Sequence, residues 1–320
     1  MKRTALLSAM LLAAAVASAQ ATPGQANPQP TPGASQQTAS GGANQAPANA
    51  PEARKVLQAK SQDELKAYQD ASAKTDPAQA EAAAADFSAK FPTSELRAQL
   101  YVRAMNLFAQ ANDNQKVIAV GRQAIAADPL NPIPLVQVAS ALAETTHDSD
   151  LDREQELAEA AKDAHAAIDN IDTGLLIPPN ATPEQVAAAK HSIMTMAYDT
   201  LGMVDMRRNE YASAESNLQK AIEENKNNPE AVLYLRLSVV QDKLKKYPQA
   251  LDSANRAVEY ARDGTPAQNL AKQQQERLRQ LISAGSSGGQ AAQPATAPSP
   301  AAPGGQSNPS PMPNSPNPPQ

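Results

Sequence analysis

The chain has no cysteine and no tryptophan, only three phenylalanines and three histidines, and aromatic residues make up 3% of its 320 positions. Without cysteine there is no disulfide framework, no thiolate nucleophile and no cysteine to acylate, so a lipoprotein is excluded. His147, His165 and His191 are scattered, none with a second ligand at helical spacing, so no zinc site is expected. No G-x-S-x-G, phosphate-binding loop or paired-carboxylate constellation occurs, and the chain is expected to be non-enzymatic, with no catalytic residues, no metal and no cofactor. His147 to Glu154 (HDSDLDRE) alternates acidic residues in the manner of a calcium loop but lacks its glycine and spaced glutamate. Its carboxylates suit the N-terminus of a following helix instead. No alternating Val/Ile/Thr run indicates a strand, and with so few aromatics the core must be Ala and Leu packed at short helix spacing.

Long apolar runs are missing too, apart from the start of the chain. Residues 1–19 (MKRTALLSAMLLAAAVASA) carry a basic pair, an apolar run from Ala5 to Val16 and the small-residue motif Ala17-Ser18-Ala19. This is the pattern of a secretory signal peptide cut before Gln20, and the localisation expected is periplasmic or secreted. A retained anchor is the alternative, but the run is shorter than the ~20 residues of a spanning helix. Of 28 basic and 33 acidic residues, removal of Lys2 and Arg3 leaves 26 and 33, a net charge of −7 that disfavours nucleic acid as a partner. Residues 20–51 and 285–320 contain no Asp, Glu, Lys or Arg and are built from Gln, Ala, Pro, Gly, Ser, Thr and Asn, with one methionine. Neither can bury enough apolar surface to offset ordering, so both are expected to be disordered, partly polyproline spacers. No P-x-x-P in them has the basic flank usual for proline-motif ligands.

Between these tails, residues 52–284 read as nearly all-helical. The breaks Asp76-Pro77, Asp128-Pro129, Asn131-Pro132, Thr182-Pro183, Asn228-Pro229 and Thr265-Pro266 each place a capping side chain before a proline, which predicts helix starts. Ser61-Gln-Asp-Glu64 and Thr182-Pro-Glu-Gln185 have the form of capping boxes. The clearest unit is residues 198–229 (YDTLGMVDMRRNEYASAESNLQKAIEENKNNP). Tyr198, Leu201 and Gly202 share one helical face, Tyr211, Ala214, Leu218 and Ala221 a second, and Arg207-Arg208-Asn209 forms the turn between them. Gly202 and Ala214 are small where two antiparallel helices must approach closely.

This unit resembles a tetratricopeptide repeat, whose W-x2-L-G-x2-Y, A-x3-F and P signature is matched by Tyr198, Leu201, Gly202, Ala214, Leu218 and Pro229. Asp205 stands where an aromatic is usual, and Pro229 comes late. Related patterns at Tyr101 to Pro129, Leu135 to Ala167 and Tyr234 to Ala257, and a first one ending near Lys90, make five repeats. Lys90, Ala124, Ala167, Ala221 and Ala257 are aligned as equivalents, and a helix of residues 267–283 caps the series. The resemblance implies an all-α, right-handed α-solenoid of helix-turn-helix repeats with disordered tails. Residues 171–183 (IDTGLLIPPNATP) cannot be helical through Pro178-Pro179 and are expected as an extended strap along it. Residues 85–108, ADFSAKFPTSELRAQLYVRAMNLF, also resemble the F-x-x-x-F-P-x-S segment of periplasmic repeat proteins serving outer-membrane assembly and the Tol-Pal system.

In this family the inner wall of the solenoid comes from the first helix of each repeat. The resemblance therefore places Arg103, Asn106, Met196, Asp199, Met203, Met206 and Arg236 on a concave protein-binding face, with Gln99, Val102, Val136, Gln137 and Ser140 beside them. The Met196 to Met206 stripe suits either an apolar partner segment or packing against the neighbouring repeat. The function expected is an exported, non-catalytic scaffold binding a peptide or protein segment in the cell envelope. A self-associating structural protein, or an accessory factor of outer-membrane assembly, is the alternative.

Overall fold

The computed structural model describes residues 57–288. The expected signal peptide, the linker of residues 20–51 and the tail from residue 289 lie outside them. The described chain forms α1 (Gln62–Ser72), α2 (Pro77–Lys90), α3 (Leu96–Gln110), α4 (Asn114–Ala127), α5 (Pro132–Thr145), α6 (Arg153–Asp169), α7 (Pro183–Arg207), α8 (Tyr211–Glu224), α9 (Ala231–Lys243), α10 (Tyr247–Tyr260) and α11 (Pro266–Gly288). No strand occurs among the described residues. Five hairpins, α1/α2 to α9/α10, stack in chain order, and α11 closes the stack against α9 and α10. It runs past the expected domain end at residue 284.

Four of the proline breaks start helices as their chemistry requires. Asp76 accepts the Gln79 N–H at 2.9 Å, Asn131 the Ile133 N–H at 3.1 Å and Thr265 the Gln268 N–H at 3.3 Å. Thr182 and Gln185 form a complete capping box. The other two breaks differ from expectation. Asp128 ends α4 rather than beginning a helix, because Asn131-Pro132 provides the better start just beyond. Asn228-Pro229 lies in a turn, and α9 begins at Ala231 after Glu230. At Ser61 the box is shifted: the hydroxyl accepts the Glu64 N–H, but the Glu64 carboxylate takes the Lys60 N–H at 2.6 Å.

Three hairpins share one turn. Asn112, Asn209 and Lys245 have φ of 57°, 61° and 60°, in the left-handed region. In each, the next residue's N–H reaches back five positions, Asp113 to Phe108, Glu210 to Asp205 and Lys246 to Gln241, which is a Schellman C-cap. That turn folds α3 onto α4, α7 onto α8 and α9 onto α10. Where the helices then meet, only a small residue fits. A Cβ on Gly202 would lie 2.8 Å from Cγ of Leu218 within its hairpin, and one on Gly121 of α4 2.3 Å from Cγ2 of Val138 in α5 of the next hairpin. Asp205, out of place for the family pattern, has a polar use, since it accepts the Asn217 amide of α8 at 2.8 Å.

The buried positions of the second helices show the register. Ala124, Ala167, Ala221 and Ala257 are all fully buried, as aligned, but Lys90 is exposed, its ammonium over the Phe91 ring. In α2 the buried set is Ala80, Ala84 and Phe87, so Phe87 rather than Lys90 fills the equivalent place. The bulkier side chain sits where the stack has no preceding repeat to crowd it. Phe87 packs on Phe91 with ring centres 5.0 Å apart and planes tilted by 43°, and the Ser94 hydroxyl accepts the Leu96 N–H, so the F-x-x-x-F-P-x-S segment forms the corner between α2 and α3.

Residues 171–183 do run as a strap. Leu175 is buried, and Ile171 and Ile177 pack on the cluster of Leu135, Ala164, Ala167, Ala189 and Ile193. A Cβ at Gly174 would overlap the Leu130 carbonyl oxygen at 1.7 Å, so the strap can cross the α4/α5 turn only with glycine there. Strap and lengthened α7 together account for the widest interval between repeats.

Candidate functional site

The first helices pack closely on one another from α1 to α3, α3 to α5 and α5 to α7, and again from α9 to α11. No second helix packs on another second helix as closely. The first helices therefore share one side of the stack, here called the first-helix wall. Two second-helix gaps are spanned by ion pairs instead, Lys116 to Glu81 at 2.8 Å and Arg122 to Glu159 at 2.7 Å.

On this wall the polar side chains form a row. Asn106 of α3 accepts from the Gln137 amide of α5 at 3.0 Å. Arg103, one turn before it, donates through Nη2 to the Lys74 carbonyl at 3.0 Å. Arg236 of α9 pairs with Asp199 of α7 and joins the last two hairpins. Glu144, at the end of α5, has its carboxyl raised by partial desolvation, against the pull of Arg236 and the Asn114 amide, with Asp199 adding to the rise. Among the described residues, three buried atoms of these side chains, Gln99 Nε2, Arg103 Nε and Asp199 Oδ1, have no hydrogen-bond partner.

The methionine stripe does not act as one surface. Met203 is buried at 9% exposure and belongs to the core cluster that includes Val204, Leu142 and Leu157, so it offers no surface to a partner. Met196 is half-buried against the cluster of Leu135 and Leu201, and Met206 against that of Leu218 and Val240. Successive hairpins rotate this face of α7 from one interface into the next. Val102 and Val136 are buried as well.

One residue of the wall's edge escapes sequence reasoning. Arg207 donates from Nε to the Ala143 carbonyl at 2.8 Å and from Nη2 to the Glu144 carbonyl at 3.3 Å, capping the C-terminus of α5. It is the last residue of α7 in the clearest repeat, but its partners are 64 and 63 residues away. The acidic loop before α6 is tied locally: Asp150 accepts the His147 N–H and Asp148 pairs with Arg153. Among the described residues no group of three His, Asp or Glu is placed to hold a metal ion. Nor is any described helix long and apolar enough to cross a membrane.

A stack of antiparallel hairpins, with small residues at the crossings and the first helices along one side, is a tetratricopeptide-like α-solenoid. No protein-family model matches the chain, and no curated protein does. Among solved structures it is similar to MamA, at 14% identity over 57% of this chain and 96% of that one, with a TM-score of 0.35. It is similar to Acl4, the assembly chaperone of RpL4, at 10% identity over 70% and 98% of the two chains, with a TM-score of 0.37. A tetratricopeptide repeat protein from Parabacteroides merdae matches at 14% identity over 69% and 93%, with a TM-score of 0.32. At these identities and scores the likenesses carry no functional argument.

Proposed function

We propose that the chain is a non-catalytic scaffold that holds an extended peptide or protein segment along its first-helix wall, in the cell envelope. The observation that carries this reading is the row of half-buried polar side chains on the first helices, from Gln99 and Arg103 through Asn106 and Gln137 to Asp199 and Arg236. An extended segment presents main-chain donors and acceptors at regular intervals, and such a row meets them without reading their sequence. The envelope address is supported by the signal-like pattern of residues 1–19.

The test is affinity capture from the native envelope with the full mature chain and with an Arg103→Gln, Gln99→Glu double variant of unchanged helicity. A saturable partner captured by the first and lost by the second is the expected result. Equal capture by both, or capture of nothing but further copies of the chain, overturns the reading and favours a self-associating structural protein.

A further inference from the structure

The opposite face of the solenoid has a second feature, independent of the first-helix wall. A cleft of about 560 Å³ opens between α8 and α10. Its floor is Tyr234 and Leu237 of α9, and its walls are Ile222 and Gln219 of α8 and Pro248 and Gln249 of α10. Two earlier gaps between second helices carry ion pairs across them. Here the bridge from Lys246 to Glu215, at 2.6 Å, lies at one end and leaves the middle open.

We propose that this cleft is the docking site of the chain's own proline-rich C-terminal segment, residues 294–303 (PATAPSPAAP). Three observations converge on that occupant. The first is charge. Asp252 and Arg256, which also line the cleft, are paired with each other at 3.3 Å, and the Arg256 guanidinium lies over the Tyr234 ring, 5.9 Å from its centre. The cleft therefore asks for no charge, and residues 289–320 contain no Asp, Glu, Lys or Arg.

The second is surface chemistry. Ile222 and the exposed Pro248 offer proline rings an apolar contact over the buried Tyr234 and Leu237. The exposed amides of Gln219 and Gln249 make no hydrogen bond among the described residues. A polyproline II strand makes no internal hydrogen bonds, so its carbonyls are free to accept from such amides, and its preset φ lowers the entropy lost on docking.

The third is position. α11 lies along α10 with Leu278 against Ala250 and Ala254, while Gln274 and Arg277 reach Asp242 near the α9/α10 turn. The rest of α11 carries the chain roughly 16 Å beyond Arg277 at ~1.5 Å per residue. About six residues beyond Gly288, at ~3.1 Å each, would be long enough to return across that turn toward Pro248. The other uncharged segment, residues 20–51, joins the stack at its far end.

The absence of cysteine makes the test clean. In the full chain, Gln249→Cys is combined with Ser299→Cys or with Ala302→Cys, two tail positions that cover the register. Glu276→Cys with the same tail positions is the control, since Glu276 is exposed on α11 and closer to the tail along the chain. Under mild oxidation, at least one Gln249→Cys pairing is expected to close about tenfold faster than its control, in a monomer, because docking raises the local concentration of the tail at the cleft. Pro248→Asp, which suits the first turn of α10 but puts a carboxylate in the cleft, should abolish the difference. Rates no faster than the controls with both tail positions, a product that is a disulfide-linked dimer, or insensitivity to Pro248→Asp would each overturn the proposal.

Discussion

Asp163 offers a perturbation whose sign and size both follow from the structure. Its side chain sits on α6 at 6% exposure, and burial, aided by the Glu159 carboxylate, pushes its carboxyl up to about 6 from 3.8, against the opposing pull of Lys162 and Arg122. Below about pH 4 the group keeps its proton in both the folded and the unfolded chain, and its burial costs little. Between about 4 and 6 the unfolded chain ionises first, so folding stability falls as pH rises. Above about 6 the full penalty is present. At about 1.4 kcal/mol per pH unit, the displacement amounts to about 3 kcal/mol, an upper value because neighbouring charges relax. Asp163→Asn keeps the shape and removes the charge. Urea denaturation should show a gain of about 2–3 kcal/mol at pH 7.5 and almost none near pH 4. An equal gain at both values, or a loss at pH 7.5, would show that Asp163 is satisfied as an anion and that the argument fails.

Lys245 holds the left-handed position that asparagine fills in two sister turns. Lys245→Gly should stabilise the chain by about 0.5–1 kcal/mol, read as a higher urea midpoint with unchanged slope; no change would mean that the turn is not strained. Met203→Glu would place a carboxylate in the core and remove a buried thioether, so a loss of more than about 3 kcal/mol is expected in thermal melts followed by circular dichroism. Preserved helicity and an unshifted midpoint would return Met203 to the surface.

Much of the helical architecture is legible in the sequence because its signals are local. The period of Tyr211, Ala214, Leu218 and Ala221, the caps at Asp76, Asn131, Thr182 and Thr265, and the close-approach Gly202 each act within a few residues or across one hairpin. Where two such signals compete, as at Asp128-Pro129 and Asn131-Pro132, the outcome depends on which turn lets the next hairpin dock, and local chemistry does not decide that. The substitution of Phe87 for an alanine position has the same origin, since it depends on what is stacked before it.

The candidate site was legible only in part. The family pattern assigns Arg103, Asn106, Asp199 and Arg236 to first helices, and they lie on α3, α7 and α9. What they touch is set by the rotation from one hairpin to the next, which arises from packing between segments far apart in sequence. That rotation buries Met203 while pairing Arg236 with Asp199, brings Arg207 onto the end of α5 and leaves the α8/α10 cleft open. Helical period, cap chemistry and the charge-free ends belong to the sequence alone. The first-helix wall, its unmatched polar atoms and the cleft exist only once the hairpins are stacked, because each is made by side chains of different repeats meeting at an angle that no single repeat encodes.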